Sequence, residues 1–255
     1  VNSRKIGVVA KGAGLAEAAD LRCAPATAWE VVLNVAIESS PSYGLAIVTL
    51  DAGEEVVAEG GSMVAMSAGV GATTTFNGTA GVGLLGWLLA MLVGFARKLL
   101  GGESLFVNRF KATEAGQQVW LAPGMVGDVA HIELDGRRTV TAQSTSYLAS
   151  GPHVEVGLVW AGFQMLFSGE GAVFLRCKGR GDLLLTSYGA IERIDVQGEH
   201  VIDSGHVVAF EGDLSWTLAR AGGSWKSTLL SGEGMVMRFS GRGTVWVQTR
   251  AVPAL

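Results

Sequence analysis

Two stretches of this chain are close copies of each other. SGEGAVFLRCKGRGDLLLTS begins at Ser168 and SGEGMVMRFSGRGTVWVQTR at Ser231. Each is a Ser-Gly-Glu-Gly turn, an alternating strand, a Gly-Arg-Gly turn and a second strand. A weaker third copy, GESLFVNRFKATEAGQQVWLAP, starts at Gly102. A second module also recurs, as TLDAGEEVVAEGGSMVAM from Thr49, ELDGRRTVTAQSTSYLAS from Glu133 and DVQGEHVIDSGHVVAF from Asp195. Self-similarity at a fixed period is the mark of stacked units that cannot bury their apolar faces alone.

Spacing sharpens this. From the glycine of the second module to the next Gly-Glu turn is 33 residues for Gly136 to Gly169 and 34 for Gly198 to Gly232. It is 49 for Gly53 to Gly102, and the surplus falls on the apolar run Val82–Ala96. Short apolar or alternating runs such as Leu183-Leu184-Leu185 and Val207-Val208-Ala209-Phe210, bounded by Gly, Asp or Ser, predict strands. The expected fold is one all-β body over 29–250 with internal pseudo-threefold symmetry, in repeats of about 29–128, 129–190 and 191–250. Closing the circle of repeats would remove most open edges. Residues 1–28 are an N-terminal extension and 251–255 a tail.

The run GVGLLGWLLAMLVGFARKLLGGES predicts a helical insertion over about 82–98. It is apolar on every helical face, which does not describe an amphipathic surface helix. Seventeen helical residues rise roughly 25 Å, slightly short of the ~30 Å hydrocarbon core. Burial against the β body or a neighbouring subunit, contact with a membrane surface, and spanning are the three readings. The residues expected to make that contact are Leu84, Leu85, Trp87, Leu88, Leu89, Met91, Leu92, Phe95, Arg97 and Lys98. The match Gly81-x-Gly83-x-x-Gly86 lacks the βαβ context a dinucleotide fingerprint requires.

Composition narrows the function classes. Charged residues are 16% against ~25% in ordinary domains, and glycine is 37 of 255. Net charge is −4, with no Lys/Arg cluster to serve as a phosphate footprint, so nucleic acid is not expected. Cys23 and Cys177 lack metal-like spacing and are expected as reduced thiols. The repeated pairs Gly102-Glu103, Gly169-Glu170 and Gly232-Glu233 are read as turns, with a carboxylate ring as the sharper alternative. His200 and His206 with Asp203 are a loose fit to a metal site. The seven tryptophans are expected in the core, Trp87 excepted. No catalytic or phosphate-loop motif occurs, so no catalytic residue, metal or cofactor is assigned.

LAIVTLDAGEEVVAEGGSMVAM, ARKLLGGESLFVNRF, DSGHVVAFEG and SGEGMVMRFSGRGTVWVQTR together resemble the family named for altered inheritance of mitochondria protein twenty-four, over roughly Trp29 to Arg250. The resemblance implies a unit like the tryptophan RNA-binding attenuator protein, of double-stranded β-helix type, three times per chain. It implies no established reaction. The expected function is a non-enzymatic structural or adaptor protein, cytoplasmic, homo-oligomeric, docking on the inner membrane or a membrane complex through the insertion. The alternative is a small-ligand module with a pocket between repeats.

Overall fold

Glycines spaced along the sequence at 53, 136 and 198 all take positive φ, at 85°, 88° and 90°. So do Gly116, Gly179 and Gly241, at 80°, 118° and 129°. Only glycine enters this region without steric cost, so each is a point where a strand can turn sharply and continue. The computed structural model describes residues 32–76, 106–159, 174–220 and 235–251. All belong to one compact unit, Val31–Leu255; the extension over 1–28 lies outside the described residues.

A first section of the chain carries β1 (Asn34–Glu38), β2 (Leu45–Leu50), β3 (Glu55–Glu59), β4 (Met63–Met66), β5 (Gly71–Phe76), β6 (Phe106–Lys111) and β7 (Gln117–Leu121). A second carries β8 (Val129–Gln143), β9 (Tyr147–Ser150), β10 (Val154–Val159) and β11 (Phe174–Thr186). The third carries β12 (Ile191–Asp203), β13 (Val207–Arg220) and β14 (Met235–Gln248). Where the first section has two strands joined at Gly53, β8 and β12 run on through Gly136 and Gly198. Likewise β6 and β7 flank Gly116, whereas β11 and β14 pass through Gly179 and Gly241.

One pairing detail recurs in every section. Met63, Ala65 and Met66 pair with Leu121, Trp120 and Val119, with a bulge at Val64. Tyr147, Ala149 and Ser150 pair with Leu185, Leu184 and Leu183, bulging at Leu148. Val207, Ala209 and Phe210 pair with Val247, Trp246 and Val245, bulging at Val208. An extra residue at a fixed place re-aims one side chain and bends the strand.

Antiparallel pairing assembles a four-stranded sheet, β1-β2-β7-β4, and a ten-stranded one, β12-β14-β13-β8-β11-β9-β3-β6-β5 with β10 on β11. Strand alternation points Ala46, Val48 and Leu50 inward from β2, all fully buried, to meet Val56, Phe110, Val119 and Leu121. A second cluster gathers Val140, Ala142, Cys177, Leu183 and Leu185. The third is aromatic: Phe210 packs edge-on to Phe239 at 5.2 Å, and Phe174 lies 5.5 Å from Trp216.

Three expectations are corrected. The described residues form strands and two three-residue 3-10 turns and include no α-helix, so the described fold is all-β; the expected helical insertion over 82–98 finds no support in it and lies outside the described residues. Among the described residues the strands form one four-stranded and one ten-stranded sheet with open edges, where three equal attenuator-like units closed in a circle are expected. Trp216 and Trp246 pack on the core, but Trp120 is a surface residue whose indole N–H donates to Gln118 Oε1 at 3.2 Å; Trp29, Trp87, Trp160 and Trp225 lie outside the described residues.

The hinge glycines differ in a measurable way. A Cβ on Gly53 would meet nothing within 4 Å, so Gly53→Ala is expected to cost only the left-handed strain, about 1–2 kcal/mol. A Cβ on Gly179 would run into the His153 carbonyl, and Gly179→Ala is expected to cost on the order of 3 kcal/mol or more. Denaturant midpoints of the two variants check the order.

Candidate functional site

The apolar residues from Leu84 to Phe95, Arg97, Lys98 and all three Gly-Glu pairs lie outside the described residues. What frames them is defined. Their segments leave from and return to the paired residues Phe76 and Phe106, Val159 and Phe174, and Arg220 and Met235. The intervening lengths are 29 residues (77–105), 14 (160–173) and 14 (221–234). The Gly-Glu motifs therefore fall in the same connection of each section.

Asp182 is the most buried charged group among the described residues, with 0% exposure. It follows Gly181 in β11, opposite Glu133 of β8. Its Oδ1 lies 2.6 Å from His131 Nε2, and its Oδ2 accepts the Leu33 backbone N–H at 2.6 Å. Its own carbonyl accepts the Gly151 N–H at 2.9 Å. A buried carboxylate is tolerated when its lone pairs are matched in this way. The second partner of the carboxylate is a backbone amide, and among the described residues no nucleophile is hydrogen-bonded to either side chain. Asp182 is thus a tie between β11 and the chain entering β1. Sequence reading missed it because an Asp after Gly-Arg-Gly looks like turn chemistry.

An open groove of about 540 Å³ lies where β13 parts from β8, lined by Arg137, Arg138, Thr139, Glu211, Gly212, Gly243 and Thr244. Pairing between these strands stops at Glu211, and Gly212, with φ 101°, turns β13 away. Arg138 clamps Glu211 through Nε and Nη2 at 2.9 and 2.6 Å, and its Nη1 reaches the Glu133 carbonyl at 3.1 Å. The hydrogen-bonded Glu211 raises the Arg138 pKa. Backbone N–H groups of Arg138 and Arg137 hold the Asp135 carboxyl below its usual range. The Arg138 guanidinium and its Glu211 partner are already matched to each other.

The histidines do not converge. His206 Nδ1 is 2.7 Å from the Gln248 carbonyl, the Asp203 carboxylate accepts the Gly205 N–H, and His200 sits opposite Phe239. Among the described residues no group of three or more His, Cys, Asp or Glu could hold a metal ion. Cys177 is fully buried and its pKa is pushed up to about 12 by desolvation. The surface feature that sequence reading did not single out is β4. Met63, Val64 and Met66 are 40%, 57% and 41% exposed beside the exposed Trp120.

These features describe an antiparallel β scaffold with a charge-matched groove and one bare apolar strand. The chain belongs to the AIM24 family: the profile described as Mitochondrial biogenesis AIM24 matches residues 35–250. It is similar to protein SPYM3_0169 from Streptococcus pyogenes, known from an X-ray crystal structure, at 25% identity and a TM-score of 0.67. That similarity covers 86% of this chain and 94% of the other. No curated protein sequence matches.

Removing the tie should be costly. Asp182→Ala leaves the Leu33 amide without its acceptor and is expected to lose about 3–5 kcal/mol in denaturant unfolding. Cys177 should be inert to a thiol reagent: in a Cys23→Ser background, no thiol titrates in the native protein and one titrates in denaturant. Because burial raises the folded pKa from the ordinary thiol value of 9.0 to about 12, this thiol's contribution is complete below pH 9. It is lost as pH rises toward 12, where the unfolded chain ionises first.

Proposed function

We propose that this protein is a non-enzymatic structural or adaptor protein that self-associates, and that the apolar run Val82–Ala96 docks it on a membrane surface or a membrane-bound complex from the cytoplasmic side. The observation that carries this reading is the inequality of three matching connections. Each joins the ends of an antiparallel pair, yet one is 29 residues long and the others 14. The surplus of about fifteen coincides with an uncharged run followed by Arg97 and Lys98, cations suited to anionic head groups. The sheets pair without it, so the run is available for a task other than folding. Val82–Ala96 is 15 residues, short of the ~20 apolar residues a spanning helix needs, so surface docking is preferred to spanning. The groove beside Arg138 and Glu211 is where a small-ligand module would act, but that ion pair would have to open first.

Deleting Val82–Ala96 brings the first connection to the length of the others. The shortened protein is expected to keep its strand content by circular dichroism and its unfolding midpoint. Flotation with vesicles containing anionic lipid should fall to background. Unchanged flotation removes the docking role; an unfolded product assigns the run to the core.

A further inference from the structure

Two of the three bulged strand segments are covered by the section that precedes them, and the third is bare. On its free side β9 pairs with β3, Ala149 opposite Ala58 and Ser150 opposite Val57. The start of β13 pairs with β8 in the same way, Ala209 opposite Ala142 and Phe210 opposite Thr141. The bulged residues Leu148 and Val208 are each fully buried, and each enters the cluster of the preceding section. Among the described residues the matching strand β4 pairs with β7 alone, and its bulged Val64 is 57% exposed.

The complementary edge is bare at the other end of the chain. Ala58 and Ala142, which receive the bulged segments, lie five residues ahead of Met63 and Tyr147, the first residues of β4 and β9. The residue five ahead of Val207 is Ile202. It lies on the second half of β12, a strand paired with β14 alone, beside Val201 at 58% exposure. Ile202 packs on the third core cluster, as Ala58 and Ala142 belong to the first and second. Open edges by themselves single out nothing, because β5 and β10 are also unpaired on one side. The edges of β4 and β12 stand out because their counterparts are paired in a register the chain uses twice.

We propose that copies of this chain join head to tail, with β4 of one copy pairing antiparallel to the second half of β12 of the next. The register is Ala65 opposite Ile202 and Met66 opposite Val201, with Val64 entering the third cluster of the neighbour. The occupant of β4 is a second copy because, among the described residues, the surface that matches it in register is the chain's own β12. The contact is heterologous, so it propagates until the array closes into a ring or continues as a filament. Exposed apolar edge strands of this kind are templates for pairing. This inference rests on the self-association in the proposed function and specifies its geometry.

The test uses the full chain, with light scattering after size exclusion. Wild type is expected to form multimers. Val64→Lys and Val201→Lys, both at exposed positions, should each fall to a single chain with unchanged circular dichroism. Mixed in equal amounts they should form a dimer and nothing larger, since one intact head and one intact tail remain. In a Cys23→Ser background, Met66→Cys with Val201→Cys should oxidise to a ladder of linked chains on a non-reducing gel. A monomeric wild type overturns both this inference and self-association. Multimers that survive both lysine variants, or single chains that fail to pair on mixing, overturn the head-to-tail contact and leave self-association standing. A disulfide formed within one chain overturns it in favour of β4 closing on its own β12.

Discussion

A backbone conformation open only to glycine decides how this chain can pack. At Gly198 and Gly241, which pair with each other, β12 and β14 bend with their register unbroken, and at Gly136 and Gly179 the β8–β11 ladder shifts register and resumes. These strands are 13 to 15 residues long. One half then faces one layer and the other half another, so a single strand supplies residues to two stretches of core. Without the bends a strand of this length would lie in one flat sheet, with one face unburied. Bulges at Val64, Leu148 and Val208 work on top of this. Leu148 and Val208 thereby enter the core of the section before their own, whereas Val64 stays exposed.

Polar stitches hold those sections in register. Tyr147 donates its hydroxyl hydrogen to the Val57 carbonyl at 3.2 Å across the join between the first two sections, and the same oxygen lies 2.9 Å from Ser150 Oγ. Desolvation raises the Tyr147 pKa, keeping the phenol protonated as a donor. Across the join between the second and third sections, Arg138 and Glu211 serve instead at the surface. A buried hydrogen bond contributes ~1 kcal/mol net, but a mismatched one leaves a desolvated group unpaired, so these contacts penalise slipped registers more than they stabilise the correct one.

Much of this was legible before any coordinates. Gly53, Gly136 and Gly198 were matched by spacing, and their φ values agree to within a few degrees because the same turn is built each time. The strand runs at Leu183–Leu185 and Val207–Phe210 were legible for the same reason. What could not be read was which copies of a motif find a partner. MVAM, YLAS and VVAF are equivalent in pattern, yet the first is exposed and the others buried, because β9 and β13 pair on their second side with β3 and β8. Trp120 was misplaced for that reason: it lies across from Ala65 on the uncovered sheet. Asp182 was invisible because its partners, Leu33 and His131, lie 149 and 51 residues away, and no local pattern encodes such distances.

The tie from Leu33 to Asp182 also dictates an order of events. During synthesis at ~5–20 residues per second, the amide of Leu33 waits for about 7 to 30 seconds before residue 182 has been added. Until then β1 has β2 to pair with but no anchor for its lead-in, and Val48 and Leu50 lack the Leu184 side chain that completes their cluster. The beginning of the chain is therefore among the last parts to be secured. A nascent chain arrested before β11 would present its first section unfinished, with the apolar face of β2 open to the machinery that handles incomplete proteins.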